Sequence, residues 1–298
     1  MKACLFSISY AGFWGQDAVP LDEFIIRAGT LGFESVMVAG KRPHLSPLDA
    51  TDDRLAELSA RLTQAAVRCD VVAAYTHLAM GFATEVPVIE FQIAYVETLA
   101  RIARQLGASI VRVFTAYEID GQDLQKQWRC VVEVLREMCD RAAAYGVTVA
   151  VQNHHDVGLH TDALLELLTD INRPNCKLGF DAWSPALRGE DLYQAARRAA
   201  PFTAITTNAD YIRVPRHRYR PELVNYEPVV PDWVRAVPFG TGFIDYGSFF
   251  QGLCDGGFDG VAVYEMCSPV RGGGHIDNLD RYARTYLEWM KSKGIIGK

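Results

Sequence analysis

Hydrophobic positions along the chain follow two alternating periods. Short runs rich in Val, Ile and Ala recur at 3–9, 35–38, 70–74, 109–114, 148–152, 177–181, 203–208 and 260–265, which predicts eight β-strands. Between them lie stretches with apolar residues at i, i+3 and i+4, such as 88–106 and 124–145, which predict amphipathic helices. Several helical stretches run into a glycine just before the next strand: Leu31-Gly32-Phe33, Leu106-Gly107-Ala108, Tyr145-Gly146-Val147 and Gly256-Gly257-Phe258. Glycine there suits a helix C-cap followed by an αβ turn.

Strands alternating with helices specify a parallel sheet joined by crossover helices. The first seven predicted strands start about 26 to 39 residues apart, one βα unit each. The expected fold is therefore α/β, a single (β/α)8 TIM barrel over residues 1–298. A doubly wound open sheet is the alternative, because periodicity does not reveal whether a sheet closes. The last interval is longer and holds a loop at 211–242 after strand seven, with Arg213, Arg216, His217, Arg218, Tyr219, Arg220 and Arg235 among prolines and aromatics. In a barrel, such a loop is expected to lie over the active site.

Composition narrows the partners. The chain has 49% hydrophobic and 22% charged residues, an ordinary globular balance. Thirty-six acidic against 30 basic side chains give a net charge of -6, which supplies no general field for nucleic acid. Seven cysteines stand without CxxC pairs, which suits a reducing compartment and thiols packed in the core. No apolar run approaches the roughly 20 residues of a membrane span. The expectation is a cytoplasmic protein with a small-molecule partner, no nucleic acid, no membrane, and scope for a homo-oligomer.

Polar residues at strand ends carry the candidate chemistry. Strand five ends in Gln152-Asn153-His154-His155, strand six in Asp181-Ala182-Trp183, strand seven in Thr206-Thr207-Asn208, and strand eight in Glu265-Met266-Cys267. Strand alternation groups Ala150 with Gln152 and His154, Gly179 with Asp181, Val261 and Val263 with Glu265, and Ala204 and Thr206 with Asn208. Asp181 and Glu265, with amide oxygen from Gln152 or Asn208, would make a hard-oxygen site for Mg2+ or Mn2+, and a nearby imidazole would widen the choice to Co2+ or Zn2+. Equally, Asp181 could cap the segment that follows it and Glu265 could pair with an arginine. Phe13, Trp14, Tyr75, Phe114 and Trp183 could wall a sugar face or merely pack the rim.

At these residues the chain resembles the sugar-phosphate isomerase/epimerase superfamily of xylose isomerase-like barrels. The resemblance spans the chain and is most specific at Gly179-Phe180-Asp181-Ala182-Trp183, Gly240-Thr241-Gly242-Phe243-Ile244-Asp245 and Gly257-Phe258-Asp259-Gly260 before Tyr264-Glu265. It implies a divalent metal held by Glu, Asp, His and Glu, and a substrate-binding arginine at Arg213. The first of those Glu positions is Gln152 here, and the His position falls on Thr207 by spacing, whereas alternation favours Asn208. The resemblance implies a metal-dependent isomerase or epimerase of a sugar, keto-sugar or sugar phosphate, acting through an enediolate. Its expected ligands are Gln152, Asp181, Asn208 and Glu265. Glu265 and His154 would transfer protons, and His155, Arg213 and Trp183 would bind substrate. A keto-sugar dehydratase or lyase, and a silent sugar-binding barrel, are the alternatives.

Overall fold

The alternation closes on itself. A computed structural model, describing residues 1–80 and 85–297, has eight parallel strands in a closed barrel. In chain order these are β1 (Lys2–Phe6), β2 (Ser35–Ala39), β3 (Arg68–Ala73), β4 (Ile110–Val113), β5 (Thr148–Gln152), β6 (Cys176–Gly179), β7 (Thr203–Asn208) and, after an inserted pair, β10 (Val261–Tyr264). Each predicted strand is present, and β10 returns to pair with β1 through Lys2 opposite Val261. Around the cylinder run α1 (Leu21–Leu31), α2 (Asp52–Gln64), α3 (Val88–Gln105), α4 (Leu124–Ala143), α5 (Thr161–Ile171), α6 (Trp183–Arg188), α7 (Leu192–Ala199), α8 (Tyr246–Asp255) and α9 (Ile276–Ser292).

Period-2 alternation sorts the strand residues into two cores. Outward side chains such as Leu5, Val36, Val72, Val111, Val149, Leu178 and Ala262 pack with helix residues such as Phe24, Leu99, Leu135 and Leu279. Inward side chains Cys4, Phe6, Met37, Val71, Ala73, Ala150, Ile205 and Val263 fill the cylinder. Small residues inside matter for the site. Ala73 and Ala150 are the register neighbours of Arg112 on either side, so the arginine stem finds room in the barrel interior.

Helix ends are tied by the expected side chains. Thr51, Asp123, Asp191 and Asp245 accept N-cap hydrogen bonds at α2, α4, α7 and α8. His160 and His275 do the same at α5 and α9, which gives two of the seven histidines a structural role. Cys4, Cys69, Cys139 and Cys176 are buried in the core, Cys130 and Cys267 are half-buried, and Cys254 is exposed rather than in the core. Among the described residues no helix is long and apolar enough to cross a membrane.

Residues 211–242 are mostly not the loop expected from their composition. They form most of an antiparallel ribbon of β8 (Asp210–Arg220) and β9 (Asn225–Val237), outside the barrel sheet. At its base, Asp210 explains the Gly240-Thr241-Gly242 motif. Its carboxylate accepts from the Gly240 and Gly242 amides at 2.9 and 2.7 Å and from Tyr211 at 3.0 Å. A Cβ at Gly242 would lie 2.0 Å from Asp210 Oδ1 and 2.4 Å from the Tyr211 carbonyl oxygen, so only glycine fits. Gly242→Ala is expected to destabilise the fold by about 3 kcal/mol, the upper end of overpacking penalties, read as a lowered urea midpoint. An unchanged midpoint would refute the clasp.

Candidate active site

Two adjoining cavities open at the C-terminal rim, where barrel enzymes keep their chemistry. The larger, about 520 Å³, is walled by Phe6, Trp14, Tyr75, Phe114 and Tyr117 and carries Arg112, Gln152 and His155. The smaller, about 120 Å³, is lined by Asp181, Trp183, Thr207 and Tyr211. His154, Glu265 and Cys267 line both and so mark their junction. The structure therefore brings Gln152, His154, His155, Asp181, Trp183 and Glu265 together. It leaves out Arg213, which lies on the exposed ribbon, stacked 4.6 Å over Phe243.

Asn208 must also be corrected. Register pairs Thr207 with Val263 and Asn208 with Tyr264, which puts Asn208 in the outward row beneath the helices. Its amide donates to the Val263 carbonyl at 2.9 Å, and its neighbours are the stacked rings of Tyr264 and Tyr286. Thr207, the alternative by spacing, faces inward and meets Gln152.

Gln152 ties the small cavity together. Its Nε2 donates to Asp181 Oδ2 at 3.0 Å and to Thr207 Oγ1 at 2.9 Å. Asp181 is 4% exposed and is further held by the Ser184 amide on Oδ1, while Asn153 brackets its backbone on both sides. Burial dominates these contacts and lifts the Asp181 carboxyl to about 7, with the charge of Glu265 adding to the rise. Burial also raises Glu265, but Arg112 pulls it back down, as does a hydrogen bond from Cys267. Burial thus raises both carboxyls, against hydrogen bonds at Asp181 and against the Arg112 charge at Glu265.

The two histidines are neutral. Burial first, then the Arg112 charge, lowers His154 to about 4; burial and His154 itself lower His155 to about 3. The His155 amide donates to His154 Nδ1 at 2.9 Å, which leaves the His154 proton on Nε2. His155 takes φ 69°, a costly backbone state for a residue with a Cβ, and its ring packs on Tyr117 at 3.9 Å and Phe114 at 4.5 Å.

Attention to strand ends misses Arg112, the central residue of the site. It sits within β4 and is 1% exposed, its guanidinium carbon 3.9 Å from the Phe114 ring centre and 5.1 Å from that of Tyr75. The signal was present: a lone arginine inside the apolar run Ile110-Val111-Arg112-Val113 is anomalous for a buried parallel strand. Lys41, just past β2, is a second cation beside the cavity, with Nζ 3.7 Å from the Tyr75 ring centre. Five residues that line the cavities each hold a buried polar atom without a partner among the described residues: Tyr75 OH, His77 Nδ1, Arg112 Nε, Gln152 Oε1 and Trp183 Nε1. Such groups are costly unless a ligand or water meets them.

The donor set departs from the Glu-Asp-His-Glu arrangement implied by the sequence resemblance. Among the described residues no three His, Cys, Asp or Glu side chains come close enough to hold a metal ion. Two carboxylates remain, and between Asp181 and Thr207 stands an amide N–H, a donor that repels a cation. These residues do not fit the ion.

Fold and site define an α/β barrel whose mouth holds two adjoining cavities. A profile of the xylose isomerase-like TIM barrel family matches residues 25–293, and the chain belongs to that family. Solved structures with the same fold include a D-psicose 3-epimerase from Clostridium cellulolyticum H10 with D-tagatose, at 17% identity and TM-score 0.75, covering 98% of this chain and 99% of that one. A probable 3-DHS dehydratase, AsbF, from Bacillus anthracis gives 17% and 0.73, with 98% and 99% covered. The IolI protein, solved with a zinc atom, gives 17% and 0.74, with 97% of each chain covered. None of the curated protein sequences matches the chain significantly.

Asp181 makes stability depend on pH with a definite sign. Its folded value of about 7 lies above the ordinary carboxylate value, so the folded state binds the extra proton, and its contribution is lost as pH rises through about 7. Asp181→Asn lacks this titration. The melting temperature of the variant minus that of the wild type should therefore rise between pH 5 and pH 8. A difference that stays flat would show that Asp181 is not held protonated.

Proposed function

We propose that this barrel catalyses proton transfer next to the carbonyl of a small hydroxy-carbonyl compound of sugar size, as an isomerase, using side chains in place of a resident metal. The carrying observation is a pair of buried carboxyls, Asp181 in the small cavity, lifted to about 7 by burial, and Glu265 at its junction with the large one, where Arg112 counters the rise. Pairs of carboxyls driven apart in proton affinity supply an acid and a base at one pH.

Glu265, where the Arg112 charge counters the rise that burial causes, is the base that removes the α-proton. His154 Nε2–H and Trp183 Nε1–H donate to the substrate carbonyl and to the enediolate that forms, the neutral imidazole acting as an electrophile. Asp181, still holding its proton near neutrality, donates to an enediolate oxygen. Gln152, where the superfamily resemblance implies a second glutamate, cannot accept a proton. Symmetrical two-base epimerisation is thereby disfavoured, and one base on one face is sufficient for aldose–ketose isomerisation. The same Asp181 proton favours a second reading, departure of a β-hydroxyl, which would make the enzyme a dehydratase.

Glu265→Gln, with its fold checked by circular dichroism, should slow solvent deuterium exchange into an accepted aldose or ketose by about 10²- to 10⁴-fold. Exchange at the wild-type rate would rule Glu265 out as base, and an unsaturated product would select elimination. Binding without turnover in any case would leave only a sugar-binding barrel.

Metal content tests the other half. Wild-type protein prepared with Mn2+ and Zn2+ present should carry no stoichiometric ion by mass spectrometry. Gln152→Glu combined with Thr207→His should gain one, because that restores carboxylate and imidazole donors. A tightly held ion in the wild type would contradict the side-chain mechanism.

A further inference from the structure

The ribbon of β8 and β9 stands alone. Among the described residues, 214–233 make hydrogen bonds, ion pairs and ring contacts only within the ribbon, such as Arg216 to the Pro231 carbonyl, Arg220 with Glu227 and Tyr219 against Tyr226. Residues 214–220, rising about 3.3 Å each, carry its tip roughly 20 Å past its base. A two-stranded hairpin is marginally stable by itself in water. This one also exposes Leu223, Val224, Tyr226, Val230 and Trp233, with Val224 and Val230 at 80% and 85%. Register sorts its side chains: Tyr219 opposite Tyr226 and His217 opposite Pro228 share one face, while Arg216 opposite Val229 and Arg218 opposite Glu227 share the other. Pro215, Pro228 and Pro231 remove N–H groups from the two strands, which disfavours a further strand at either edge. Whatever covers the ribbon therefore packs on its faces and tip. Residues 213–235 carry five arginines against three carboxylates, on a chain whose net charge is -6. The ribbon is basic and the rest of the chain acidic.

We propose that the ribbon is a dimerisation arm whose occupant is a second copy of this chain, and that it seats on the cavity rim of that copy. The rim offers the matching surface. The loop between β4 and α4 exposes Glu118, Asp120 and Asp123, and Asp156 lies beside it, also exposed. The hydrogen bonds of Asp123 and Asp156 go to backbone amides, those of Gln125, Lys126 and Glu118, so their charges face solvent without a basic side chain. The same rim exposes three apolar side chains of the large cavity, Trp14, Met80 and Tyr117, at 43%, 41% and 49%. An arm with an arginine face and an aliphatic tip meets both kinds of group there, charge on charge and apolar on apolar. Within one copy the arm makes none of these contacts, so the meeting is between copies. Arm and complementary rim belong to one chain, and a two-fold axis makes their contact reciprocal: each copy gives an arm and receives one. A different protein on the arm would leave the rim uncovered. Each large cavity thereby gains a wall from the other copy, whatever reaction the site carries out.

Sedimentation velocity on the full chain tests the arm through its charges. Wild-type protein at micromolar concentration and low ionic strength, where screening is weak, should sediment at twice the chain mass. Arg216→Glu combined with Arg218→Glu should weaken the dimer by at least about tenfold, because like charges then face each other across the contact. Glu118→Arg combined with Asp120→Arg should do the same from the other side. An equimolar mixture of these two variants should restore the dimer, since the acidic arm of one meets the basic rim of the other and the basic arm meets the acidic rim. All four positions are exposed, and circular dichroism checks that each variant is folded. A wild type that sediments as a monomer would overturn the proposal and leave the arm for a different protein. A dimer that either pair of substitutions leaves intact, or a mixture that stays monomeric, would overturn it as well.

Discussion

A single side-chain amide determines what kind of site this barrel can have. Gln152 reaches from β5 across β6 to β7 and spends both N–H groups on Asp181 and Thr207. A carboxylate at that position would repel Asp181 and need a cation between them; the amide removes the repulsion and supplies the hydrogen bonds itself. Asp181 can then stay buried with its proton, because nothing fully charged stabilises its ionised form. Glu265, by contrast, lies within the field of Arg112. Burial raises both carboxyls, and the Gln152 amide at Asp181 and the Arg112 guanidinium at Glu265 each offset part of that rise.

Barrel geometry brings these groups together. In a closed parallel sheet, every second residue of each strand points at the same narrow interior, so alanines on two strands create the space into which the Arg112 stem extends. Aromatic rings then enclose its guanidinium, and the low dielectric they impose strengthens its effect on Glu265 and on the two histidines. The strained His155 backbone belongs to the same wall, where its ring packs against Phe114 and Tyr117.

Much of the architecture was legible in the chain, because the strands are apolar runs and the helices amphipathic, each with the period its environment demands. Strand seven was not legible in phase. Thr203-Ala204-Ile205-Thr206-Thr207-Asn208 offers polar and apolar residues on both faces, so alternation could not distinguish Thr207 from Asn208, and only pairing with β10 decides. The ribbon of β8 and β9 was hidden for a different reason. Its arginines and prolines bury little surface and leave no hydrophobic period to read, while its pairing comes from backbone hydrogen bonds. Asp181, Glu265, His154 and Gln152 could be found because charged or amide groups end apolar strands; Arg112 sits mid-strand, where a search for strand ends does not look. Arg213 was expected in the site from family spacing, but the ribbon takes it onto the exposed surface.

Whether Asp181 keeps a proton that Glu265 gives up can be observed directly by infrared difference spectroscopy of the carboxyl stretch across a pH titration. The account predicts a protonated-carboxyl band in the wild type that disappears as pH rises through about 7, is absent from Asp181→Asn and persists in Glu265→Gln. Loss of that band in Glu265→Gln and its retention in Asp181→Asn would reverse the assignment of acid and base and contradict the account.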